Sequence, residues 1–223
     1  NPSNKPTRIV QAGESYKYVG KLKFTFNSGN ITFNNYEVIP VDASVPAVSE
    51  IQDVIEYLKS GIEEQYGDVY HTVLGTAVNE LYKDVNPTSP FKDTPLGNLI
   101  TDAYRNKTNT QIGITANGLI SENIYQGPIA GADVFRAASY GFDEETGLGF
   151  KLATFDMQGF ELLRGLEIGL AQIETNEDYF LQVSGMKFKY NLNRPAGNRI
   201  IMGSIRVHDK PFKPVQSYSV TVN

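Results

Sequence analysis

The chain has 223 residues, a net charge of −5, 40% hydrophobic and 20% charged residues, and no cysteine. That apolar content suffices for a packed core and excludes a disordered chain, while the absence of cysteine excludes disulfides and thiolate catalysis. The acidic balance, with no long basic run, excludes a surface that neutralises a series of nucleic-acid phosphates, and no stretch approaches the roughly 20 apolar residues of a membrane span.

From the N-terminus the pattern reads first as strands, over Arg8–Gln11, Tyr16–Phe26 and Ile31–Val41. The segment Asn27-Ser-Gly-Asn30 supplies hairpin chemistry between the last two, because Gly29 tolerates positive φ. Pro46 then introduces Val48, Ile51, Val54, Ile55, Leu58 and Ile62, whose three- and four-residue spacings predict one amphipathic helix ending near Gly67. A second helix is predicted from Thr94-Pro-Leu-Gly-Asn-Leu-Ile-Thr-Asp-Ala-Tyr-Arg105, with Thr94 as cap and Pro95 in the first helical position. Its apolar face is read as Leu96, Leu99, Ile100, Ala103 and Tyr104, with Leu99 and Ile100 expected in the core.

Gln111–Thr115 follows as a short buried strand ending in a turn at Asn117-Gly118. Gly149–Phe155 alternates as a strand, Gln158–Gln172 is helical, and Tyr179–Tyr190 reads as strand, bend, strand. After a turn at Asn193–Gly197 come the strands Arg199–Val207 and Tyr218–Val222. Strands and helices mix without a strict βαβ alternation, so the fold class expected is α+β, with mixed sheets and packed helices.

Chemistry-bearing motifs are sparse. The two histidines, His71 and His208, stand 137 positions apart, which is too little for a binuclear centre that needs several converging His, Asp and Asn ligands. No Gly-x-Ser-x-Gly elbow marks a serine nucleophile. No catalytic or metal-ligating residue is therefore expected in this chain.

The Thr94–Arg105 stretch resembles the helix that opens the substrate-recognising C-terminal domain of the 5'-nucleotidase / UDP-sugar hydrolase / 2',3'-cyclic-nucleotide phosphodiesterase family. The likeness continues in order through Ala116-Asn-Gly118, Gly127-Pro-Ile129, Asp133-Val-Phe135, Gly159-Phe-Glu-Leu162 and Phe180-Leu-Gln-Val-Ser-Gly185. Upstream, Arg8-Ile-Val-Gln-Ala-Gly13 and Tyr18-Val-Gly-Lys-Leu22 resemble the last strands of that family's metallophosphoesterase domain. The resemblance implies three parts: final strands of the catalytic domain at 1–43, a linker helix at 44–67, and the C-terminal substrate-recognition domain at 68–223, cut short at its end. It also implies a parent enzyme in the periplasm or outside the cell, hydrolysing nucleotide or related phosphate esters. Two divalent ions such as zinc or manganese would be held by the upstream catalytic domain, so this piece alone is expected to be inactive.

The same resemblance supplies candidate substrate-binding residues. Asn117 and Gly118 match the family's Asn-Gly-Gly loop, Tyr140 matches an aromatic that stacks on the base, and Lys92 aligns with a basic position. If Asn117 and Tyr140 keep these roles, their side chains should meet at a concave surface beside the end of the Gln111–Thr115 strand. Ser121 stands where the family places a phosphate-facing arginine, and Phe142–Gly147 adds negative charge beside Tyr140. The implied partner is a small nucleotide-like molecule, with no nucleic acid. The loss of the arginine also motivates an alternative, a non-catalytic binding or surface-interaction module with a degenerate pocket.

Overall fold

A computed structural model of the chain describes residues 7–13, 16–86, 89, 92–141 and 143–223. These divide into two compact units, Asn1–Gln65 and Tyr66–Asn223.

The first unit holds a hairpin of β1 (Tyr18–Asn27) and β2 (Asn30–Pro40), followed by α1 (Ser49–Tyr66). Ser28 and Gly29 both take positive φ, at 47° and 83°, the geometry of a tight turn whose twist matches the strands it joins. Arg8–Gln11 forms no strand. Its attachment to the hairpin is by side chains, with the Arg8 guanidinium 3.9 Å over the Phe33 ring and the Tyr36 hydroxyl donating to the Gln11 carbonyl at 2.8 Å. The helix follows the expected periodicity, yet no residue of α1 is buried, and Ile51, Val54, Ile55, Leu58 and Ile62 remain exposed.

The second unit opens with β3 (Val73–Ala77), α2 (Pro95–Thr108), β4 (Ile112–Ala116), β5 (Gly127–Ala130) and α3 (Gly131–Ala137). It continues with β6 (Ala153–Gln158), α4 (Gly159–Leu170), β7 (Leu181–Ser184), β8 (Met186–Lys187), β9 (Arg206–Val207), β10 (Lys210–Pro211) and β11 (Ser217–Val222). The central sheet has the order β6-β11-β4-β7, with β11 parallel to β4 and the other pairs antiparallel. Two smaller sheets, β3-β5 and β10-β9-β8, complete an α+β architecture with mixed sheets. The expected strand over Arg199–Val207 is instead a single bridge from Ile200 to Tyr190, a 3-10 turn at Met202–Ser204, and the short β9. The strand expected at Gly149–Phe155 begins later, at Ala153.

Period-two alternation gives the central sheet two unlike faces. Ile112, Ile114, Tyr218 and Val220 join the main core with Leu162, Leu166 and Leu170, which recur every four residues along α4. On the other face Gly113, Gln182, Ser184 and Thr221 meet α2. Contact there is close because side chains are small: a Cβ on Gly113 would lie 2.4 Å from the Thr101 carbonyl oxygen, and one on Gly97 would lie 2.5 Å from Gln182 Cγ. The helix is capped as expected, with the Thr94 hydroxyl accepting from the Gly97 N–H at 3.0 Å.

Its buried face is Leu96, Gly97, Ile100 and Thr101, whereas Leu99 is 46% exposed. The expectation that Leu99 belongs to the core is therefore corrected. The face turned to the sheet carries Gly97 and Thr101, which rotates Leu99 outward.

Candidate functional site

The site grows from the end of β4. This strand is buried through Thr115, and the chain then turns through a 3-10 segment at Asn117–Leu119. Asn117 is pinned by its main chain, donating its N–H to the Phe180 carbonyl at 2.8 Å and accepting from the Ile120 N–H at 3.1 Å. Its side chain is only 2% exposed, and Oδ1 accepts from Gln182 Nε2 at 3.0 Å. Gln182, on β7, is 0% exposed. Its Oε1 accepts from the Thr94 N–H at 3.1 Å, and its Nε2 also lies 3.5 Å from the Lys92 carbonyl oxygen. One glutamine thus ties the entry to α2, the strand β7 and the Asn117 turn together.

Gly118 owes its identity to a close approach. A Cβ there would lie 2.7 Å from Asp178 Cβ, so the space beside Asn117 is taken by the turn at Glu177–Tyr179. Asp178 and Glu177 lie near Lys83. Partial burial pulls the Lys83 ammonium down, but the bonded Asp84 carboxylate and the charges of Glu177 and Asp178 outweigh it, and its pKa is raised. The immediate electrostatic setting of the turn is therefore a cation compensated by nearby carboxylates.

The four expected recognition residues are unequally joined. Asn117 and Gly118 are adjacent, and Lys92 reaches the same cluster through its main-chain carbonyl, while its ammonium donates to the Asn86 carbonyl at 2.8 Å. Tyr140 is half exposed, at 49%, and among the described residues no hydrogen bond joins it to the other three. Its connection runs through α3, since the Ser121 N–H donates to the Ala137 carbonyl at 2.9 Å. Behind Tyr140, Gly141 takes φ 85° and leaves no room for a Cβ against the Phe150 ring. Phe142 lies outside the described residues. The negative charge expected from the segment it opens is only partly offset, because the single Lys151 pairs with both Asp143, at 3.1 Å, and Glu145, at 2.9 Å, and the segment also carries Glu144. The Lys151 bond holds the Asp143 carboxyl below the usual carboxylate range.

Nothing in the sequence pattern singled out Gln182 or Tyr190. The Tyr190 hydroxyl is buried with no hydrogen-bond partner among the described residues, and burial, reinforced by Asp93 and Glu174, pushes it up to about 12. A groove of about 560 Å³ lies elsewhere in the unit, between α4 and residues 196–202, and none of the four candidates lines it. Its carboxylate, Glu167, is spent on structure, accepting the N–H groups of Arg199 and Ile200 at 2.9 and 2.7 Å. Among the described residues, neither unit by itself brings three His, Asp or Glu side chains within reach of one ion.

Residues 73–223 match the model of the family described as 5'-nucleotidase, C-terminal domain. The trifunctional nucleotide phosphoesterase protein YfkN of Bacillus subtilis is 26% identical over 211 residues, which is 89% of this chain and 13% of that protein. A cell wall protein of Listeria monocytogenes, Lmo0130, is 28% identical over 234 residues, covering 97% of this chain and 28% of the relative. Among solved structures, a 5'-nucleotidase precursor from Thermus thermophilus superposes on all of this chain and 43% of its own, with TM-score 0.78 and 28% identity. The chain accordingly spans less than half the length of each of these proteins.

Proposed function

Since the chain belongs to the 5'-nucleotidase C-terminal domain family, we propose that it is the substrate-recognition part of a 5'-nucleotidase-type hydrolase that cleaves nucleotide or related phosphate esters. In this reading residues 1–43 close a catalytic domain that precedes them, 44–67 link the two parts, and 68–223 select the substrate. The parent protein works in the periplasm or outside the cell. Support for that location comes from the relative named as a cell wall protein; among the described residues, no helix is long and apolar enough to cross a membrane.

The observation that carries the reading is Asn117, a buried amide at the end of the innermost parallel pair, β4 and β11, with only one end of its carboxamide bonded within the described residues. Asn117 hydrogen-bonds the base, and the half-exposed ring of Tyr140 offers a stacking face worth about 1 to 3 kcal/mol. Gly118 lets the turn close against Asp178, and Lys92 adds positive charge on the approach of the phosphate. The family implies two divalent ions, which supply Lewis acidity and an activated water when bound. Among the described residues neither unit by itself has a converging ligand set for them, so this reading assigns their site to the preceding domain and no step is derived through them.

Ser121 in the place of an arginine favours a second reading, a binding or surface-interaction module that keeps the fold without phosphate selectivity. Calorimetry on the 223-residue chain separates the two. The nucleotidase reading expects weak binding of adenosine, little improvement with AMP, and a gain in AMP affinity of about 1.5 to 3 kcal/mol for Ser121→Arg, the worth of a charge-assisted hydrogen bond. AMP binding far tighter than adenosine in the unmodified chain overturns the lost-arginine argument, and no gain on Ser121→Arg favours the surface module.

A further inference from the structure

The two ends of a carboxamide are nearly the same size but opposite in hydrogen-bonding sense, so its orientation is decided by its partners. At Gln182 those partners include two main-chain groups of unlike kind. The Thr94 N–H can only donate, and the Gln182 end 3.1 Å from it must be oxygen. The Lys92 carbonyl can only accept, and the end 3.5 Å from it must be the NH₂. Gln182 consequently has one permitted orientation. The remaining hydrogen of its NH₂ points at Asn117, 3.0 Å away, and an NH₂ can be received there only by Oδ1. The backbone therefore dictates the orientation of Asn117 through an intermediary.

Nothing loosens this relay. Gln182 is fully buried against Gly97, and both main-chain groups of Asn117 are bonded, to Phe180 and Ile120. Asn117 Nδ2 makes no hydrogen bond among the described residues and is not one of their fully buried unpartnered polar atoms. It retains a sliver of open surface and two unused donor hydrogens.

We propose that Gln182 is a positioning residue that holds Asn117 with its NH₂ toward the ligand, so that the site selects a hydrogen-bond acceptor, a ring imine nitrogen or a carbonyl oxygen of a nucleobase, and rejects an amine or ring N–H at that point. The identity of the ligand rests on the reading that Asn117 meets the base; the orientation of the amide does not.

The test has two arms on the 223-residue chain. In the first, side-chain amide protons of ¹⁵N-labelled protein are followed by NMR. The Gln182 NH₂ is slow to exchange with water and the Asn117 NH₂ fast, and Gln182→Met shifts the Asn117 signals. Protection of the Asn117 NH₂ with rapid exchange at Gln182 overturns the proposed orientation. In the second arm adenosine is compared with its 1-deaza, 3-deaza and 7-deaza analogues, each of which replaces one ring acceptor by C–H. One analogue binds roughly three- to tenfold more weakly than adenosine. That ratio shrinks toward one in Gln182→Met and inverts in Asn117→Asp, which keeps the bond to Gln182 but turns a second acceptor outward.

A purely structural role for Gln182 would weaken all four nucleosides alike and leave the ratio unchanged, which overturns the positioning role. Asn117→Asp keeps the question open to measurement if Gln182→Met does not fold, since an unchanged ratio in that variant contradicts a donor facing the ligand. If Asn117→Ala leaves adenosine binding untouched, or no nucleoside binds, the base-recognition reading fails, and with it the selection proposed; the first arm then judges the relay alone.

Discussion

The two faces of the central sheet solve the same packing problem by opposite means. Against α4 the strands present Ile112, Ile114, Tyr218 and Val220, and the leucines of the helix fill the space between them. Toward α2 they present glycine, threonine, serine and glutamine, and the contact is made of hydrogen bonds at close range. The Ser184 hydroxyl donates to Asp102 and accepts from Arg105 Nε, and the Thr221 and Thr108 hydroxyls lie 2.5 Å apart. The apolar side derives its stability from burial, which tolerates small displacements. The polar side holds a particular geometry, because its hydroxyls and the Gln182 carboxamide are tied to named partners and losing one is costly. Asn117 belongs to the second side.

The largest effect that would sharpen this contrast is expected on the apolar face. Leu166→Ala removes a fully buried side chain and should destabilise the chain by about 2 to 5 kcal/mol in denaturant unfolding, whereas Leu99→Ala, at an exposed position of α2, should cost less than about 1 kcal/mol. Equal losses at the two positions would erase the distinction. Next comes the close approach on the polar face. Gly113→Ala places a methyl 2.4 Å from a backbone carbonyl that has no rotamer with which to retreat, and a loss of about 1 to 3 kcal/mol is expected in the same assay. A neutral outcome would mean that α2 lifts from the sheet freely, and that its hydrogen bonds do not fix the spacing.

The smallest change concerns Tyr190, whose buried hydroxyl finds no partner among the described residues. Tyr190→Phe removes an orphaned hydroxyl and should raise stability by about 1 kcal/mol. Its pH signature has a definite sign. The unfolded phenol ionises near its ordinary value of 10, while the folded one holds its proton to about 12. The unfolded state therefore binds fewer protons between those values, and stability present below pH 10 declines as pH rises toward 12. In the phenylalanine variant that decline should be shallower, leaving the shares of Tyr104, whose phenol burial also raises, and of Lys83 and Lys151, whose ammonium groups are raised by their carboxylate partners. Identical alkaline profiles would show that the hydroxyl is solvated.

These positions also show what the sequence makes legible. The second helix was readable from its cap, its proline and its apolar spacing, because those are local properties. Which side faced the sheet was not, since a hydrophobic pattern counts Leu99 as core and ignores Gly97 and Thr101, the residues that let the helix approach. The periodicity of α1 was equally plain, and its stripe is exposed all the same. The short β3, with its register shift between Val73 and Gly75, and the seven-residue α3 offer too few turns or alternations for a period to show. At the site, resemblance pointed to Asn117. Gln182 went unnoticed because a polar residue alternating with Leu181 and Val183 reads as the solvent face of a strand, and only the arrival of α2 buries it.

The parallel pairing of β11 with β4 carries one more consequence, for the order in which the chain is made. β6 has no neighbour in its sheet except β11, and β4 needs β11 on its inner side. Once the chain up to residue 216 has left the ribosome, both halves of the sheet and the leucines of α4 are out without the strand that joins them. Pairing then spans more than a hundred residues from Ile112 to Val220, a separation associated with slow folding. Until Ser217–Val222 is available, β4 and β6 lack the strand that lies between them, and an incomplete sheet with unpaired edges and apolar surface is prone to aggregate.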